Sequence, residues 1–338
     1  MSRIHQLADL RRALKLYRFE HALARCRDAV ASRSIGATEI CYVVAPQNRD
    51  WILNRIGMEL AAASPNGRVV VAADVRRLPP ARVYFFTHVS LFMRHFGWRG
   101  RSAVRAVFVT HISDQVFDEV ASGLRGADAV FCMNSQTIEA LRAAGVPASR
   151  LRLAIGGVDV GAFERHQEVK PRRVILNSAF YPRKNPEKLA ALVRALPAER
   201  FLLIGRNWPD WPGFESLRAS MNFEYIEADY AEYPALYLRG DVFLSLSRLE
   251  GGPIPLLEAM SADLVPIATR TGFAPDVIDH GSNGFLCDCD APVEEIAALL
   301  DEARSRPRQV RETVLCYSWS AFSARVNDTL ASLPSAGL

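Results

Sequence analysis

The sequence predicts two α/β domains, each a parallel sheet wound on both faces by helices. Three observations carry this. Short, nearly unbroken apolar runs recur along the chain, such as "VYFFTH" (83–88) and "DVFLSLS" (241–247), as expected of strands buried on both faces. Amphipathic stretches such as 51–63 and 135–144 lie between several of them, the alternation of strands with crossover helices. The scheme runs twice, broken by the polar stretch "ERHQEVKPRR" (164–173), in a chain whose 338 residues suffice for two medium domains.

Taken in order, residues 1–36 hold eight Arg or Lys against three Asp or Glu, a net of +5, which leaves about −1 for the rest of a chain of net charge +4. Ile4, Leu7, Leu10, Leu14 and Tyr17 fall at helical spacing within this segment. Two readings stand: a basic amphipathic helix in peripheral contact with an anionic membrane, or a helix packing its apolar stripe on the body of the protein. No nucleic-acid module accompanies the charge. Six candidate strands follow, at 40–45, 69–74, 83–88, 104–111, 129–134 and 151–155, and six more at 173–178, 200–205, 223–227, 241–247, 264–269 and 284–287. A last helix spans about 319–332. The expected domains are therefore 1–165, with the basic helix, and 166–318, with 319–338 closing back on the first.

Composition excludes several classes. At 49% apolar and 23% charged the chain is an ordinary globular protein. No run reaches the roughly 18 to 20 apolar residues of a membrane span, and the N-terminus has no apolar signal core. A cytoplasmic protein is expected, at the inner face of a membrane if the basic helix binds there. The six cysteines should then be reduced. Their spacing fits no zinc pattern. G-x-G-x-x-G, the phosphate-cradling P-loop and the G-x-S-x-G elbow are all missing. "DCD" (288–290) offers Asp288 and Asp290 to a divalent ion, or merely caps the helix that follows.

Ligands of such sheets bind beyond the carboxyl ends of the strands. Those ends carry Asp74, His88, His111 and Asn134 in the first half, and Ser178, Gly205, Ser247 and Glu250 in the second. The last of these opens "EGGPIPLLE" (250–258). A helix starting near Pro255 turns its free amides and positive end toward that turn. Gly251 and Gly252 admit close approach and unusual dihedrals, so the amides of Gly251, Gly252, Ile254 and Leu256 form a phosphate cradle. Glu250 and Glu258 flank it. Carboxylates repel phosphate but accept hydrogen bonds from paired sugar hydroxyls. A ligand that alternates sugar, phosphates and sugar satisfies both, and that ligand is a nucleotide-sugar. The helix carrying Glu258 is apolar nearly all round, so its carboxylate is expected to be buried and to need strong partners.

"EGGPIPLLE" resembles the E-x7-E motif of the retaining GT-B glycosyltransferases of the group 1 (family 4) type. "SLSRLEGGPIPLLEAMSADLVPIATRTGFAPDVIDHGSNGFL", "MNSQTIEALRAAGVPASRLRLAIGGVDVGAF", "SAFYPRKNPEKL" and "YSWSAF" are similar to that family's segments in the same order, over about 104–332. The resemblance implies a GT-B fold, two Rossmann-like domains facing across a cleft. It implies a nucleotide-sugar donor and transfer to an acceptor hydroxyl with retention; no metal is expected, and the basic N-terminal helix alone points to a glycan or lipid-linked acceptor at a membrane. It places Glu258 on the ribose, Glu250 on the transferred sugar, the amides of Gly251, Gly252 and Ile254 on the donor, and Lys184 on the diphosphate. Only four of the 41 cationic residues are lysine, and Lys184 and Lys188 are two of them. His111 would contact the donor sugar. His88 and Asp114 are candidates on the acceptor side. The chain departs from the family at Ser178, where the pattern has an arginine; Arg183 and Arg206 are the candidate replacements. It departs again at "APQNRDWILNRIG", which stands for a glycine-rich loop and offers Asn48, Arg49 and Asn54. Gly205, Arg206 and residues 225–227, Ile226 among them, are expected to read the base. A non-catalytic nucleotide-sugar binder, a metal-dependent transferase using Asp288 and Asp290, and a sugar-nucleotide epimerase are the rival readings.

Overall fold

The computed structural model describes residues 38–46, 52–71, 78–79, 81–95, 103–165, 172–306 and 309–334. The basic segment 1–36, Asn48, Arg49 and Asp74 lie outside the described residues. The chain forms two compact units, one of Met1–Gly157 with Trp319–Leu338, the other of Val158–Ser318.

In the first unit the elements are β1 (Thr38–Val44), α1 (Ile52–Ala62), β2 (Gly67–Val71), β3 (Ala81–Phe86), α2 (Val89–His95), β4 (Val104–Val109), α3 (Phe117–Leu124), β5 (Ala129–Cys132), α4 (Ser135–Ala143) and β6 (Leu151–Leu153). The sheet is parallel, in the order β2-β1-β3-β4-β5-β6. The apolar runs become its interior: Tyr42, Phe85, Phe108 and Phe131 are buried and lean on one another, with centroids 5.5–6.2 Å apart around Phe85. The last helix, α11 (Trp319–Ser332), belongs to this unit. Its Asn327 accepts a hydrogen bond from the Tyr42 hydroxyl at 2.6 Å and donates to the Leu60 carbonyl at 2.9 Å.

The second unit runs β7 (Val174–Asn177), α5 (Pro186–Ala195), β8 (Phe201–Ile204), α6 (Phe214–Arg218), β9 (Phe223–Ile226), α7 (Tyr233–Tyr237), β10 (Val242–Ser245), α8 (Ile254–Ser261), β11 (Val265–Thr269), α9 (Ala274–Val277), β12 (Phe285–Cys287) and α10 (Val293–Ser305). Its sheet is also parallel, in the order β12-β11-β10-β7-β8-β9. All twelve expected strands are present, several shorter than their apolar runs because the last residues already turn into loops. The chain passes into this unit at Val158, not at 166. The polar stretch expected to link the domains begins inside it: Arg165 donates from Nε to the Ala262 carbonyl at 3.1 Å and from Nη2 to the Gly240 carbonyl at 2.7 Å.

Both sheets reverse direction once. In the first the chain builds β2 on one side of β1 and then crosses to β3 on the other; in the second it builds β8 and β9 outward from β7 and returns with β10 on the opposite side. A crevice opens at such a switch point, because the loops leaving the two strands diverge.

Candidate functional site

At the switch point of the second sheet, two loops meet. The loop after β7 carries a 3₁₀ turn, Pro182–Lys184, and ends at Asn185, which adopts a left-handed backbone (φ 58°) before α5. Asparagine tolerates that region better than most residues. The loop after β10 carries Ser247 to Pro253. The Arg248 amide donates to the Arg183 carbonyl at 2.7 Å, and Arg183 Nη1 donates to the Leu249 carbonyl at 2.7 Å. Arg183 also pairs with Glu250 Oε2 at 3.0 Å, while Lys184 Nζ pairs with Glu250 Oε1.

Glu250 is only 8% exposed, and the Ser247 hydroxyl donates to it. Burial alone would raise its pKa; Lys184 and then Arg183 outweigh that and hold it at about 2. Lys184 is pulled down by burial and drawn back up by Glu250. The sequence expectation set Lys184 on a diphosphate and Glu250 on a sugar, as separate contacts. The protein instead joins them, with Arg183, in one cluster of two cations and one anion. A surplus positive charge survives there, the feature a diphosphate requires.

Glu258 is 2% exposed, on α8. Its Oε2 lies 3.1 Å from the Tyr237 hydroxyl. That hydroxyl also lies 3.2 Å from the Pro255 carbonyl and accepts from Asn177 Nδ2 at 3.0 Å. Tyr233 is half-buried nearby: burial and then the Glu258 charge raise its pKa, against the opposing charge of Arg206. Glu258, Tyr233 and the exposed Arg206 therefore share one neighbourhood.

The cradle between the two glutamates is narrower than its sequence suggests. The Ile254 amide donates to the Gly252 carbonyl at 2.9 Å and the Leu256 amide to the Pro253 carbonyl at 2.7 Å. Two of the four expected donors are thus used inside the turn, which prolines at 253 and 255 tighten. Nor do Gly251 and Gly252 take left-handed dihedrals; among the described glycines only Gly145, Gly205, Gly272 and Gly281 do. Gly272 (φ 56°) matters to the site, because a Cβ there would sit 2.8 Å from Glu250 Cβ.

Beside this lies the region expected to read a base. Gly205 has φ 146°, and a Cβ on it would meet the Ser178 carbonyl at 2.0 Å. The Gly205 amide donates to the Ile226 carbonyl at 3.1 Å, and its carbonyl accepts from the Tyr225 hydroxyl at 3.0 Å. The Ser178 carbonyl accepts from Trp208 Nε1 at 2.7 Å. Gly205, Ser178 and Ile226 thus hold one another, and their backbone groups are largely engaged within the fold.

At the switch point of the first sheet, Thr87 donates through its amide and its hydroxyl to the Val43 carbonyl, at 3.1 and 3.0 Å. His88 follows at the start of α2. Its Nδ1 accepts the Ser90 amide at 3.1 Å and lies 2.8 Å from the Ser90 hydroxyl. An Nδ1 that accepts an amide proton places the ring proton on Nε2. Burial first, then the charges of His111 and Arg94, lower its pKa to about 4, so the ring is neutral near pH 7. His111 is exposed just beyond β4, its Nδ1 3.4 Å from Thr110 Oγ1. Asp114 is exposed and opens a 3₁₀ turn. His88 and His111 are brought near one another; Asp114 heads the next turn.

Asp288 and Asp290 point to different arginines. Asp290 Oδ1 pairs with Arg248 Nη1 at 2.9 Å, and Asp288 Oδ1 lies 3.6 Å from Arg270 Nε. Among the described residues no group of three or more His, Cys, Asp or Glu is placed to hold a metal ion, and no helix is long and apolar enough to cross a membrane.

Sequence reasoning missed Asn177, Tyr237, Asn185 and Gly272 as parts of this site. Asn177 and Gly272 sit at or just after strand ends, where such residues could have been sought. Tyr237 gives no local signal, since an apolar-looking "YPALYLRG" reads as core.

Residues 162–313 match the family of glycosyl transferases group 1. Sulfoquinovosyl transferase SQD2 of Arabidopsis thaliana is 27% identical over 79% of this chain and 55% of its own length. The GDP-mannose-dependent alpha-(1-6)-phosphatidylinositol monomannoside mannosyltransferase of Mycobacterium tuberculosis is 27% identical over 61% of this chain and 62% of its own. The chain thus spans about half to three fifths of the length of these curated relatives. Among solved structures, HepE of Anabaena in complex with UDP-glucose has a TM-score of 0.72 at 13% identity, over 87% of this chain and all of that one. Sucrose-phosphate synthase of Thermosynechococcus elongatus has 0.71 at 16%, over 88% of this chain and 99% of its own. The chain has the GT-B fold of two Rossmann-like sheets, and over residues 162–313 its second unit is similar to the group 1 glycosyl transferases.

Proposed function

We propose that the protein moves a sugar from a nucleoside diphosphate sugar to an acceptor hydroxyl, with retention and without a metal. One observation carries the reading: the second sheet's switch point gathers Lys184, Arg183 and both glutamates of the E-x7-E turn. Lys184 and Arg183 take the diphosphate and stabilise it as it leaves. Glu250, released from Lys184 as phosphate replaces it, takes hydroxyls of the transferred sugar, and Glu258 takes those of the ribose. The Gly251 and Gly252 amides meet the donor. The acceptor attacks from the face the diphosphate leaves, and a phosphate oxygen receives its proton. His111 serves the donor sugar; a neutral His88, with its proton on Nε2, is a hydrogen-bond donor on the acceptor side, with Asp114.

The relatives support the donor class: HepE binds UDP-glucose and the mannosyltransferase is named GDP-mannose-dependent. The phosphatidylinositol monomannoside in the latter's name supports a lipid-linked or glycan acceptor here, handled at the cytoplasmic membrane face in polysaccharide or glycolipid synthesis. Ser178 favours a second reading, a nucleotide-sugar binder without turnover, since a serine stands where the resembled pattern ends this strand with an arginine. Thermal-shift screening against UDP-, GDP-, ADP- and dTDP-sugars tests the binding that both share. One family of donors should raise the melting temperature, and Glu258→Ala should abolish the shift. A full shift in the variant overturns the role of Glu258.

A further inference from the structure

We propose that Tyr237 and Asn177 are positioning residues for the donor's ribose, acting through Glu258. The inference rests on the reading of Glu258 given above. Tyr237 is wholly buried, stacked on Phe243 at 6.0 Å and edge-on to Phe163 at 5.4 Å, so its ring cannot swing. Asn177 Nδ2 donates to its hydroxyl at 3.0 Å, which fixes the side from which the oxygen accepts. The single phenolic proton then points to the other side, where Glu258 Oε2 at 3.1 Å and the Pro255 carbonyl at 3.2 Å compete for it. A carboxylate is the stronger acceptor, so the proton goes mainly to Glu258.

The consequence is geometric. A carboxylate that receives two vicinal hydroxyls must present its oxygens in one plane and at one height. Glu258 lies on the first turns of α8, where a glutamate has three rotatable bonds. Tyr237 removes that freedom by holding Oε2. Asn177 stands at the end of β7, immediately before Ser178. The strand that the family pattern ends with an arginine toward the phosphate here ends with a side chain that braces the ribose carboxylate from behind.

The test is titration of UDP, GDP and ADP, each against its 2′-deoxy counterpart, into wild type, Tyr237→Phe and Asn177→Leu. Phenylalanine keeps the ring packing, and leucine keeps the γ-branched shape of asparagine without its polar atoms, so two independent variants guard against a failure to fold. Wild type should prefer one ribonucleotide over its deoxy form by at least about tenfold. In Tyr237→Phe that preference should fall to about twofold or less, and Asn177→Leu should move the same way by less. Inorganic pyrophosphate should compete equally well in all three proteins. A purely structural role would lower the melting temperature and leave the ribose preference intact. An unchanged preference in both variants overturns the inference alone. A wild type that binds none of the three nucleotides overturns the donor reading, and the inference falls with it.

Discussion

Glu250 is the residue on which the site's electrostatics turn. Its carboxylate is buried and tied to Lys184, Arg183 and Ser247. Removing one partner of a buried pair leaves the other uncompensated, which costs about 3 kcal/mol or more. Glu250→Gln should therefore lower stability by about that amount, read from denaturant unfolding at pH 7. Pyrophosphate should recover part of it, because Lys184 and Arg183 then lack their anion. The pH dependence follows from the sign of the shift. The carboxylate is held from an ordinary 4.5 down to about 2, so the folded state binds fewer protons than the unfolded chain in between. Its stabilisation is present above about pH 4.5 and is lost as pH falls toward 2. Wild type should show this acid limb and Glu250→Gln should lack it. A variant as stable as wild type, with or without pyrophosphate, would contradict the pairing.

At the scale of elements, the loops that leave β7, β8 and β10 are built to lie on one another. Gly205 shows how little room there is: a Cβ would lie 2.0 Å from the Ser178 carbonyl, on a backbone at φ 146°. Gly205→Ala should cost about 2 kcal/mol or more and weaken nucleotide binding, because the β7 loop must shift and Trp208 then loses its acceptor. Unaltered melting and binding would show that the loop adapts without loss. The strands were legible because parallel, doubly covered strands write themselves as unbroken apolar runs. Glu250 and Glu258 stood out because the turn between two glutamates makes chemical sense by itself, and Lys184 because its loop resembles a family segment and lysine is scarce in the chain. The Lys184–Glu250 pair was not, since the two lie on loops from different strands and only the sheet order brings β7 beside β10. Tyr237 escaped for the same reason: its hydroxyl matters through Asn177 and Glu258, at separations of 60 and 21 residues. The overestimated cradle has a local cause. Counting free amides at a helix start assumes that the turn does not fold on itself, and here Ile254 and Leu256 do bond back.

For the whole molecule, the two sheets put their switch points to different uses. The second concentrates charge: two cations, two buried carboxylates and a braced tyrosine. The first presents neutral imidazole chemistry, with His88 kept uncharged by burial and by the neighbouring charges of His111 and Arg94. That division suits a reaction whose charge develops on a leaving diphosphate and whose acceptor is a neutral hydroxyl. The measurement that tests this most directly is nucleoside diphosphate release from UDP-, GDP-, ADP- and dTDP-sugars. It would use wild type and Lys184→Ala, with a membrane-lipid extract as acceptor and excess EDTA, and read the anomeric configuration of the product by NMR. Release is expected from one donor family, undiminished by EDTA, with the donor's configuration kept and the rate about a hundredfold lower in Lys184→Ala. Release that stops on chelation, an inverted product, or a variant as fast as wild type would contradict it.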